Sequence, residues 1–152
     1  MGERFLKLAV FYGLSGMILG AVMGMSGNFV NRDVHAHIGL LGWVSMAIMG
    51  LCYRVLPALA QSRLAAAHFW LFNLGVPVML TGLWAIVNDR AAKGEPLAGI
   101  GATGILLGML CFAINVWRNA GGSAEERVPA TRKAIRPATA RPAAGMPVVE
   151  TP

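Results

Sequence analysis

The stretch Val34 to Tyr53, VHAHIGLLGWVSMAIMGLCY, decides the fold. It holds no Asp, Glu, Lys or Arg. At 1.5 Å per residue, about 20 such residues cross a hydrocarbon core roughly 30 Å thick. A backbone in lipid has no water to bond, so a spanning segment of this kind is a helix. The run opens on His35-Ala36-His37, and an ionisable residue inside a membrane segment marks function by default.

Three further uncharged runs flank it, giving spans at about 8–30, 34–56, 64–88 and 96–117. The connections, near Asn31–Asp33, Leu56–Arg63 and Asp89–Glu95, are short, which makes sequential helices antiparallel. The expected fold class is therefore all-α: an integral membrane four-helix bundle, with a four-span domain over 1–118. The tail 119–152 is rich in Ala, Pro and Arg and reads as a disordered basic cytoplasmic segment.

Composition agrees. Of the 152 residues 56% are hydrophobic and only 13% charged, about half the charge of a soluble domain. The net charge of +6 is concentrated at the chain ends. It forms no basic stripe interleaved with aromatics, so no nucleic-acid partner is expected. Arg4, Lys7, Arg54, Arg63 and Arg118 flank the spans in the pattern of the positive-inside rule. That places both termini in the cytoplasm of a bacterial-type inner membrane, with His35 and His37 near the outer face and the bilayer itself as a partner. A cleaved signal peptide is disfavoured, because the first apolar run is too long and no A-x-A site follows it. Leu6 breaks the myristoylation pattern. Cys52 and Cys111 form no CxxC and read as apolar thiols.

Glycines recur three or four apart in the first helix (Gly13, Gly16, Gly20, Gly24) and again in the second and fourth. Such spacing lets helices, or a flat cofactor, approach a backbone closely. Pro77 should kink the third span. Asn73 could bond across helices.

Two histidines two apart on a helix diverge by about 200° and cannot grip one ligand together. His68 opens the third span roughly 30 Å away along the second helix, so it cannot share an iron with either. Imidazole is the usual axial haem ligand, and two routes to ligation stay open. One pairs a histidine with Met23, Met25 or Met46. The other is a ring of copies, in which His35 of one subunit meets His37 of the next. Arg32 and Asn31 could meet propionates, and Trp43 could lie against a porphyrin, although interfacial anchoring and packing account for them too. His68 reads as a helix-start or interface residue, with quinone or second-cofactor contact as the alternative. No catalytic triad, phosphate loop or intramembrane carboxylate pair is present in the sequence.

The residues from Arg32 through His35, His37 and Trp43, running on through Gly50 to Tyr53-Arg-Val-Leu-Pro57, resemble a haem-binding helix of the haem–copper oxidase and nitric oxide reductase catalytic subunit. His68-Phe-Trp-Leu-Phe-Asn-Leu-Gly75 is similar to the start of the helix that follows it. The resemblance covers roughly residues 30–80. That subunit has twelve helices in three pseudo-equivalent groups of four, so it implies a homotrimer here, with haem b, its iron held by His35 and His37, at subunit seams. The copper-site histidines are missing, so oxygen or nitric oxide reduction by this chain alone is not expected. What remains is a membrane cytochrome transferring single electrons in a respiratory setting, with a cytochrome or quinone as redox partner. A haem-based gas or redox sensor, an accessory subunit of a respiratory complex, and a cofactor-free assembly scaffold are the alternatives.

Overall fold

The computed structural model describes residues 1–120; the tail expected to be disordered lies almost wholly outside them. Four long helices form: α1, Gly2–Ser26; α2, Arg32–Val55; α4, Arg63–Val87; and α5, Ala91–Asn119. Each is long and apolar enough to cross a membrane. A short helix α3, Pro57–Ala60, fills the connection between α2 and α4. No strand occurs among the described residues.

The helix limits follow local chemistry. α1 stops at Gly27, whose φ of 65° is the left-handed turn that glycine makes without a Cβ penalty. The first long helix therefore runs from Gly2 to Ser26. Pro57 sits at the start of α3, where its missing N–H costs nothing. The Ser62 side chain caps α4 by accepting from Leu64 N at 3.1 Å. α5 begins at Ala91, five residues before Pro96, where the last uncharged run starts.

The helices pack as two hairpins, α1 with α2 and α4 with α5. The second is held by a ladder of small residues seven apart: Gly75 and Gly82 on α4, against Gly94, Gly101 and Gly108 on α5. A Cβ on Gly82 would collide with Ala98 N, and one on Gly101 with Met79 N. Main chain thus meets main chain. Lipid removes the hydrophobic drive between helices, so this close van der Waals fit is the main source of their association. At one end of the hairpin the seven-residue spacing continues on both helices to polar groups, His68 seven residues before Gly75 and Asn115 seven after Gly108, and both side chains are completely buried.

Side chains, in contrast, join the two hairpins. Phe5, Met46, Leu59, Phe72 and Val76 are fully buried between them. At one end Phe5 stacks on His68, ring centroids 5.0 Å apart. At the other, Asn88 Nδ2 donates to Asn31 Oδ1 at 3.1 Å. Asn73 does not reach across helices: its Nδ2 donates to Phe69 O on its own helix at 2.7 Å. That bond fixes the amide orientation and leaves Oδ1 buried without a hydrogen-bond partner. The helix continues through Pro77 one turn later. The outward faces carry large apolar side chains such as Phe11, Leu14, Leu74 and Ile100, as a lipid-facing surface requires.

Candidate functional site

Both members of the HxH pair lie in the first two turns of α2, which Arg32 opens. His35 turns toward α1. Its Nδ1 is 3.0 Å from Gly16 O, and its ring covers Gly20 so closely that a Cβ there would stand 3.0 Å from Cε1. His37 turns back on its own helix, with Nδ1 2.7 Å from Asp33 O. A carbonyl oxygen only accepts, so in each ring Nδ1 carries the proton and donates. Nε2 is left with its lone pair. No hydrogen bond among the described residues uses it. This is the arrangement of a ligating imidazole, whose second nitrogen is fixed by a donated bond to a carbonyl.

Below the histidines α2 changes its winding. Ile38–Ser45 is π-helical, with hydrogen bonds five residues apart in place of four. Ser45 Oγ donates to Leu40 O, also five residues back, at 2.8 Å. The consequence is read off the glycines of α1. Gly20 receives His35, Gly16 receives Ile38 at 3.2 Å, and Gly13 receives the Trp43 ring at 3.1 Å. The step from Ile38 to Trp43 is five residues. In an α-helix the fourth residue, Gly42, would hold that position and Trp43 would turn about 100° away. Gly42 instead faces Tyr12.

The remaining candidates are dispersed. Trp43 rests on α1 with part of its ring exposed. Arg32 is exposed, 3.7 Å from its neighbour Asp33, a weak surface pair. Asn31 is bound to Asn88. Met23 and Met46 are buried, and Met25 is exposed. Beside the histidines two glycines have empty flanks: no atom lies within 4 Å of a Cβ built on Gly24 or on Gly39. Gly24 is one turn from Gly20 on α1, and Gly39 one turn from His35 on α2.

His68 lies five residues into α4, fully buried. Its Nε2 is 3.1 Å from Met49 Sδ and its Nδ1 2.9 Å from Tyr53 Oη. A thioether only accepts, so here Nε2 holds the proton and Nδ1 accepts from the tyrosine hydroxyl. Phe5, Phe72 and Phe112 surround the ring. Both nitrogens are engaged, and no lone pair is left for a ligand. Nearby, Asn115 Nδ2 donates to Leu59 O at 2.9 Å. Sequence reasoning missed this cluster of Met49, Tyr53, His68 and Asn115. The seven-residue spacing of His68 and Asn115 from the glycine ladder was the available signal. Cys52 and Cys111 are free thiols, partly exposed. Among the described residues no three His, Cys, Asp or Glu side chains gather to hold a metal ion.

The chain is similar to the cbb3-type cytochrome c oxidase subunit CcoN1 of Stutzerimonas stutzeri, 26% identical over 76% of this chain and 32% of the relative. It is similar also to the bacteroid cytochrome c oxidase subunit 1 homolog of Bradyrhizobium diazoefficiens, 26% identical over 89% of this chain and 31% of the relative. The chain thus spans about a third of the length of these curated relatives. No family model matches it, and no solved structure does. Four apolar helices and two oxidase relatives together make this a multi-pass membrane protein distantly related to the haem–copper oxidase catalytic subunit.

Proposed function

We propose that this chain is a b-type haem-binding membrane cytochrome that passes single electrons in a respiratory context. His35 and His37 from neighbouring copies would hold the iron in the seam between them. One observation carries the reading: both imidazoles already donate from Nδ1 to a carbonyl and present an unused Nε2. The oxidase relatives supply the setting.

The surroundings fit a flat macrocycle. The bare backbones at Gly24 and Gly39 leave open flanks beside His35. Arg32, exposed at the helix start, is available for a propionate, and Trp43 shares the α1-facing side with His35. Asn31 is a poorer propionate partner, since its side chain is engaged by Asn88. Bound haem would supply a reversible one-electron iron couple. The protein's part is to hold the imidazoles, fix their tautomers and exclude water. Two histidine ligands leave no open iron position, which suits electron transfer.

A homotrimer of this four-helix unit would restore twelve helices, with a membrane cytochrome or a quinone as redox partner. The expected topology puts both termini in the cytoplasm and the haem near the outer face. The test is an optical spectrum with pyridine haemochrome quantitation of detergent-purified protein. Low-spin b-type bands are expected, lost in His35→Ala and in His37→Ala alike. A colourless preparation sinks the reading. Loss in only one variant removes the shared ligation. A Soret shift with carbon monoxide moves the protein to the sensor class.

A further inference from the structure

We propose that the π-helical stretch Ile38–Ser45 aims His35 at its site, and that Ser45 is a positioning residue for it. The proposal rests on the haem reading for its consequence, but its geometry stands without it.

The register on α1 is the argument. His35, Ile38 and Trp43 dock on Gly20, Gly16 and Gly13 in order, a glycine for each side chain. The glycines are spaced as an α-helix demands, four and three apart. Their partners on α2 are spaced three and five. Only a turn with one extra residue lets His35 and Trp43 share a face, and the π stretch is that turn. Rewinding it to α without removing a residue would rotate one half of α2 against the other by about 100°. Either Trp43 would leave Gly13, or His35 would leave Gly20 and Gly16 O. The bond from Ser45 Oγ to Leu40 O spans five residues, so this acceptor is reached only in the wide turn, whereas Ser15, Thr81 and Thr103 bond four residues back in α-helical turns. Eight residues of π-helix are long for a conformation found mostly as single turns.

The experiment uses the full chain carrying Cys52→Ser and Cys111→Ser. A disulfide between Gly13→Cys and Trp43→Cys reports the register; the pair is close enough, since a Cβ on Gly13 lies 3.1 Å from the Trp43 ring. Low-spin haem content is read in parallel, in proteins that keep Trp43. Ser45→Ala is expected to lower cross-linking at least threefold and to convert low-spin haem to high-spin. Ser45→Thr, which keeps the hydroxyl, restores both. Deleting the lipid-facing Leu40 in the Ser45→Ala protein also restores both, because Ile38 and Trp43 are then four apart and an α-helix aligns them. Unchanged cross-linking in Ser45→Ala, or no rescue by the deletion, overturns the proposal. Lower cross-linking with an unchanged haem spectrum also overturns it, because the register would then not aim the ligand. If the parent holds no haem, the haem reading fails by itself, and cross-linking still decides the register.

Discussion

The two hairpins use glycine in opposite ways. Between α4 and α5, Gly75, Gly82, Gly94, Gly101 and Gly108 bring two main chains together with nothing between them. Between α1 and α2, Gly13, Gly16 and Gly20 each accept a side chain of the partner helix, and one of those is His35. The same residue type builds a closed seam in one hairpin and, in the half of the other that carries the histidines, seats for larger groups; only at the far end of α1 and α2 do Gly2 and Gly50 meet main chain to main chain. Under the proposed function, the difference separates a pair of helices held for stability from a pair that would offer imidazoles to a ligand.

The sharpest way to break this contrast is Gly101→Leu. Its Cβ would strike the Met79 main chain, which cannot yield as a flexible side chain can. A loss of roughly 3 kcal/mol is expected, measured by unfolding in mixed micelles. Tolerance of leucine there would show that the seam is not closed. Next is Gly20→Val. Here the neighbour is the His35 ring, so folding should survive while haem affinity falls on the order of 10- to 100-fold, as for other groups that orient a ligand. Titration of apoprotein with haemin reads it, and equal affinity in both proteins would detach α1 from the site.

Smaller effects sharpen the picture. Tyr53→Phe removes the donor to His68 and should cost about 1 kcal/mol of stability. The haem spectrum should stay unchanged; a spectral change would bring His68 into the site. The smallest stability effect belongs to Gly39→Leu, where empty space receives the side chain and thermal unfolding should move by less than about 0.5 kcal/mol. Haem content should nevertheless drop if a macrocycle lies beside that backbone. Full haem content in this variant would move the macrocycle away from Gly39.

The spans were legible because charge is almost absent from them, and lipid allows one backbone solution. The glycine spacing on α1 was legible too, though not which group each glycine would receive. The π stretch was not. The two glycines of Ile38–Ser45 are ordinary in a membrane helix, and its winding shows only in where Ile38 and Trp43 land on α1 across the hairpin. The partners of His68 were hidden for a related reason. Its position near the end of an apolar run suggests an interface, but Tyr53, at the end of a different helix, supplies its hydrogen bond. Asn73 gave a false signal: an amide in a span looks like glue between helices, yet the carbonyl of Phe69 was closer.

The closed α4–α5 seam has a consequence for how the molecule comes apart. A detergent tail needs a gap between side chains to wedge into; where Gly82 and Gly94 meet, main chain fills the seam, and the apolar groove lined by Leu71, Leu74, Gly75, Ile100, Gly101 and Gly104 lies only on its outer face. The contact between the two hairpins, built of aromatic and methionine side chains with the Tyr53–His68 hydrogen bond at one end and the Asn88–Asn31 hydrogen bond at the other, is the easier place to enter. Harsh solubilisation should therefore part the two hairpins first and leave the α4–α5 pair intact.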